Sequence, residues 1–138
     1  DNLTAVAWFS AADNQPKVRF AQSIDGGESF GPAVDIDSGK PVGRVDIAAV
    51  SSTTMVVSWV RQVAGETGEV VILPVIDGVK SGDPIVVTEI STSRPSGFPQ
   101  MIRVGEDLLF AWTEFTGQGS RVKTRLLPIT SLNLSGAP

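Results

Sequence analysis

The residues able to do chemistry in this chain are few in kind. It has 11 basic and 15 acidic side chains, and no Cys, His or Tyr in 138 residues. Thiol catalysis, disulfides, thiolate zinc sites and iron–sulfur clusters are therefore excluded. So are histidine triads, histidine-held metals and phenolic nucleophiles. Asp, Glu, Lys, Ser and Thr remain, with seven arginines: Arg19, Arg44, Arg61, Arg94, Arg103, Arg121 and Arg125. A guanidinium suits a carboxylate, because two parallel N–H groups meet its two oxygens. The second notable cluster is Ser23-Ile24-Asp25-Gly26-Gly27-Glu28-Ser29-Phe30. Its Asp25 can accept hydrogen bonds from backbone amides of its own turn, and its glycines can take positive φ. A calcium loop wants more oxygen ligands at set spacing than these two carboxylates provide. The structural reading of this turn is thus the stronger one, and no metal or cofactor is expected.

The elements that must hold these groups are strands. Val (18), Ile (9) and Thr (10) together fill 37 of 138 positions, and β-branched residues suit a pleated, half-buried surface. Trp8, Trp59 and Trp112 each follow a small residue within a short apolar run, at spacings of 51 and 53. Lys17-Val18-Arg19-Phe20 aligns with Glu69-Val70-Val71-Ile72, and that with Arg121-Val122-Lys123-Thr124, each at 52. Ile24-Asp25-Gly26 aligns with Ile76-Asp77-Gly78, and Pro32 with Pro84, at the same offset. A repeat near 52 residues with several strands each describes an all-β, propeller-type chain.

In the middle repeat the pattern predicts strands over Arg44–Val50, Met55–Val63, Glu69–Ile76 and Ile85–Glu89, with Asp77-Gly78 turning the chain. The last repeat predicts Phe98–Val104, Leu108–Phe115 and Arg121–Ile129, leaving Thr130–Pro138 as a weak fourth strand at best. The first repeat begins with its Trp strand and lacks an inner one. The chain thus divides into a partial blade (1–39), a full blade (40–91) and a third (92–138), about two and a half four-stranded antiparallel blades. The start Asp1-Asn2, without Met, reads as a processed or truncated end.

The stretch Ser23–Phe30 fits the pattern Ser-x-Asp-x-Gly-x-Ser/Thr-Trp/Phe. It resembles the Asp-box of bacterial-neuraminidase-repeat (BNR) propellers, the sialidase-like superfamily, with Ser23, Asp25, Gly27, Ser29 and Phe30 as the structural box. Gly43-Arg44-Val45-Asp46, Ser96-Gly97-Phe98-Pro99 and Leu109–Thr113 are similar to the C-terminal part of bacterial sialidase-like proteins. The resemblance implies a box on the hairpin between third and fourth strands, and an extracytoplasmic setting. It also implies sugar carboxylates bound by three arginines beside a Tyr nucleophile. This chain has no Tyr, so no catalytic residue is assigned.

On a propeller, central sites form where innermost strands begin. That selects Arg44, Asp46, Arg94 and Phe98 as candidate ligand-binding residues. Surface charges are common and their pairs weak, so the bland alternative is that the arginines are solvated or pair with Asp46 and Asp37. Each mid-strand Trp reads as core between repeats; Phe9, Phe98 and Phe115 better suit sugar stacking. The expected role is a non-catalytic scaffold or glycan-binding portion of a propeller. One rival is a fragment of an exo-sialidase or other glycoside hydrolase with its key residues elsewhere. The other is a self-assembling half-propeller. Expected partners are the chain itself or further blades of a longer parent, and a glycan. Net charge is −4 without a basic stripe, so nucleic acid is not expected, nor is a membrane.

Overall fold

The structure, a computed structural model, describes residues 2–134. Eleven strands form three antiparallel sheets, and no α-helix occurs among the described residues. The first sheet holds β1 (Thr4–Ser10), β2 (Lys17–Ser23) and β3 (Val34–Asp37), in that order. The second runs β4 (Pro41–Ala49), β5 (Thr54–Ala64), β6 (Thr67–Ile76) and β7 (Val79–Lys80), with β8 (Ile85–Ser91) also paired to β6. The third holds β9 (Gln100–Val104), β10 (Asp107–Thr116) and β11 (Gly119–Pro128). Among these residues the sheets close into neither a barrel nor a complete propeller.

The middle sheet has five strands where four were expected. Asp77 and Gly78 both take positive φ (49° and 79°), the geometry of a tight hairpin turn. The chain therefore returns at once, pairing Val79 with Ile76 and Lys80 with Val75. It then leaves through Ser81–Pro84 and rejoins β6 further along as β8. The weak strand anticipated after β11 is also corrected. Ile129–Leu132 is a 3-10 turn whose Leu132 is buried in the core between the second and third sheets. Pro128 has no N–H to continue a ladder, and Ser131 Oγ donates to its carbonyl at 2.6 Å. The rest of that expectation, 135–138, and residue 1 lie outside the described residues.

The three Trp-bearing hairpins share one register. Trp8 faces Arg19 across the ladder, Trp59 faces Val71 and Trp112 faces Lys123. Because side chains alternate across a strand, this register sorts the apolar residues onto two faces per sheet. Between the first and second sheets lie Val18, Phe20, Val57, Trp59, Val71 and Leu73, all buried. Between the second and third lie Val56, Val70, Ile72, Met101, Leu108 and Phe110. The middle sheet is thus covered on both faces and reads as nearly continuous apolar strands, while the outer sheets are covered on one. Trp59 is fully buried, whereas Trp8 and Trp112 are half-buried.

Candidate functional site

Ser23–Phe30 lies in the connection between β2 and β3. The Gly26 amide donates to the Asn2 carbonyl at 2.8 Å, and the side-chain hydrogen bonds are internal. Ser29 donates from its amide to Asp25 Oδ1 at 2.9 Å and from its hydroxyl to Oδ2 at 2.5 Å. The Ser23 hydroxyl donates to Asp25 Oδ1 at 2.5 Å and accepts from the Gly27 amide at 2.8 Å. These hydroxyl and amide donors hold the Asp25 carboxyl far below the usual carboxylate range. Gly26 and Gly27 take φ of 77° and 94°. The carboxylate is occupied by its own turn, which is a structural use. Phe30 is exposed.

Arg44, Arg94 and Phe98 line one cavity of about 470 Å³, together with Phe9, Val42, Gly43, Thr92 and Gly97. The end of β1, the start of β4 and the segment between β8 and β9 meet there, and β4 opens with an irregularity. Pairing to β5 shifts register between Pro41 and Gly43, and again before Asp46. Gly43 and Arg44 both take positive φ (97° and 55°). The latter is uncommon for a residue with a side chain. This bulge aims Arg44 at the segment after β8. Its Nη2 donates to the carbonyls of Thr92 and Ser93, both at 2.9 Å, and Nη1 to that of Ser91 at 3.3 Å. Burial pushes the Arg44 pKa down, and the carbonyls offset the lost hydration. Arg44 therefore shapes the cavity wall and retains only part of its donor set for a ligand.

Arg94 differs. It opens the 3-10 turn Arg94–Ser96, is exposed, and makes no ion pair among the described residues. Phe98 is 67% exposed at the same rim. Asp46 does not line the cavity. Its Oδ1 accepts from the Ile47 amide and its Oδ2 from the Met101 amide, both at 2.8 Å, so it stitches β4 to β9. Neither arginine pairs with Asp46 or Asp37; the latter accepts from Trp59 instead. Phe9 was already a stacking candidate from the sequence, but its place beside Gly43, and Gly43 itself, were not foreseen. The signal was present: Phe9 follows Trp8 and so points to the opposite face, and a Gly before an Arg at a strand start marks a bulge.

Two further cavities lie among the described residues. One of about 430 Å³ lies between the second and third sheets and includes Glu66, Glu89, Trp112, Glu114 and Phe115. Glu114 is held by Arg121 at 2.6 Å and Lys123 at 3.0 Å. The other, about 450 Å³, flanks the Asp25 turn and includes Phe20, Ser29, Phe30 and Asp77. Among the described residues no three acidic side chains are grouped to hold a metal ion. No family model, no curated protein and no solved structure matches this chain.

Proposed function

We propose that this chain is a run of adjacent blades of a sialidase-like, Asp-box β-propeller, acting as a non-catalytic, glycan-binding part of it. The observation that carries this reading is the convergence of Arg44, Arg94 and Phe98 on one cavity. Their shared place follows from the repeat, in which each begins or precedes an inner strand. An exposed guanidinium beside an exposed aromatic ring is the pairing that a carboxylated sugar uses. The charge meets the carboxylate, and the ring covers the apolar face of the pyranose. Arg44 holds the wall, Arg94 supplies the free cation, and Phe98 with Phe9 supplies the stacking surface. No carboxylate lines the cavity to serve as acid, base or nucleophile beside them, so binding without turnover is expected.

Titration with N-acetylneuraminate, glucuronate and glucose, followed by amide shifts in NMR, tests it. Both acids should bind with Kd on the order of 1 mM, as befits one or two charge-assisted contacts, and glucose should not. Arg94→Ala should weaken binding about tenfold, the loss of one such contact, with unchanged melting. Equal response to glucose, or indifference to Arg94→Ala, would overturn the reading.

A further inference from the structure

The two outer sheets leave opposite faces uncovered, and the chain's own interfaces show what each is shaped to meet. At both formed interfaces the Trp-bearing face of one sheet packs on the other face of the sheet before it. Trp59 and Val57 pack on the face of Ala5, Ala7, Val18 and Phe20. Trp112 and Phe110 pack on the face carrying Val56, Val70 and Ile72. The same register places Val6 and Trp8 on the outward face of the first sheet. It places Ile102, Leu109, Ala111, Val122, Thr124 and Leu126 on the outward face of the third. Leu109, Ala111, Val122 and Thr124 occupy the repeat positions of Val56, Ser58, Val70 and Ile72. The third sheet thus presents, uncharged and in water, the kind of surface a Trp face covers. Val122 is 72% exposed and Leu126 58%, a patch of the kind that marks a protein-binding surface.

We propose that these faces bind one another between two copies of this chain, the Val6–Trp8 face of one copy docking on the Val122–Leu126 face of the next. They cannot meet within one chain, because they lie on opposite sides of the middle sheet. The contact continues the order of the existing interfaces, so it is heterologous, head to tail. Arg19 lies over the Trp8 ring at 5.8 Å. Lys123 holds the corresponding place beside Trp112 in the formed interface between second and third sheets, so a cation there is compatible with the packing. The inference rests on sheet packing and stands whether or not the Arg44 cavity binds a sugar.

The test uses polarity. Sedimentation of the whole chain over about 1–500 µM, the range in which modest interfaces populate, should show the mass rising from 14.5 kDa to twice that or more. Val6→Glu and Val122→Glu should each be monomeric, with native circular dichroism and cooperative melting. Their equimolar mixture should recover a 1:1 dimer, because each variant retains the face the other has lost. Ile24→Glu, at a site 80% exposed and off both faces, should associate like the unaltered chain. A monomer at every concentration, or association that either variant leaves intact, overturns the proposal. Failure of the folded variants to complement each other overturns its head-to-tail polarity.

Discussion

The Trp59 indole N–H donates to Asp37 Oδ2 at 2.7 Å, joining the centre of the middle sheet to the last strand of the first. Trp59 is fully buried, so its N–H has no water to turn to. Asp37→Ala should therefore destabilise the fold by about 1–3 kcal/mol, the cost of a buried donor left unpaired. Urea unfolding followed by Trp fluorescence checks this. An unchanged midpoint would mean that the two sheets are held by apolar contact alone.

Acid should unfold the chain through three exposed or half-exposed carboxylates. Asp25, Asp35 and Glu114 all have pKa values lowered from their ordinary 3.8 or 4.5. The causes are the Ser23 and Ser29 bonds, then Lys17 and Arg19, then Lys123 and Arg121. Each binds its proton more weakly folded than unfolded. Its contribution is complete above the ordinary value and is lost as pH falls through the lowered one. Asp25→Asn should melt earlier than the unaltered chain at pH 7. The gap should narrow as pH falls below the ordinary 3.8, as the carboxylate's advantage is progressively lost. A gap that persists undiminished would assign the effect to shape rather than charge.

Arg44→Lys tests the wall of the cavity. An ammonium is a compact charge, whereas the guanidinium fork reaches three successive carbonyls at once. The substitution should cost about 1–3 kcal/mol, the range for unmade bonds to a charged group. It should also speed amide exchange across Ser91–Gly97 more than elsewhere. Uniform exchange would show that this segment is held by its own serines.

The all-β class and the antiparallel strands were legible in the sequence because strand alternation and tight turns act locally. Arg44–Val50, Met55–Val63 and Glu69–Ile76 were placed within a few residues of β4, β5 and β6. What was not legible is tertiary. The use of Asp46 depends on the Met101 amide, 55 residues away. The role of Arg44 depends on carbonyls 47–49 residues away. Leu132 leaves the strand pattern because a buried place in the core between the second and third sheets is open to it.

Gly43 joins the fold to the site, and its substitution separates their contributions. It takes φ of 97°, a conformation that side chains rarely adopt, and an added Cβ would lie 3.1 Å from Phe9 Cγ. Gly43→Ala therefore strains the backbone and displaces the ring, at a cost of about 1–3 kcal/mol. The bulge that aims Arg44 should flatten toward regular pairing with β5. Phe9 should move away from the rim it shares with Phe98. Gly105, with φ of 60° and nothing within 4 Å of an added Cβ, provides the control. Gly105→Ala should lower stability through the backbone alone and leave the cavity as it was. The check is melting of both variants beside their affinity for N-acetylneuraminate. Gly43→Ala should lose both; Gly105→Ala should lose stability only. Equal affinity in the two folded variants would dissociate the bulge from the ligand site.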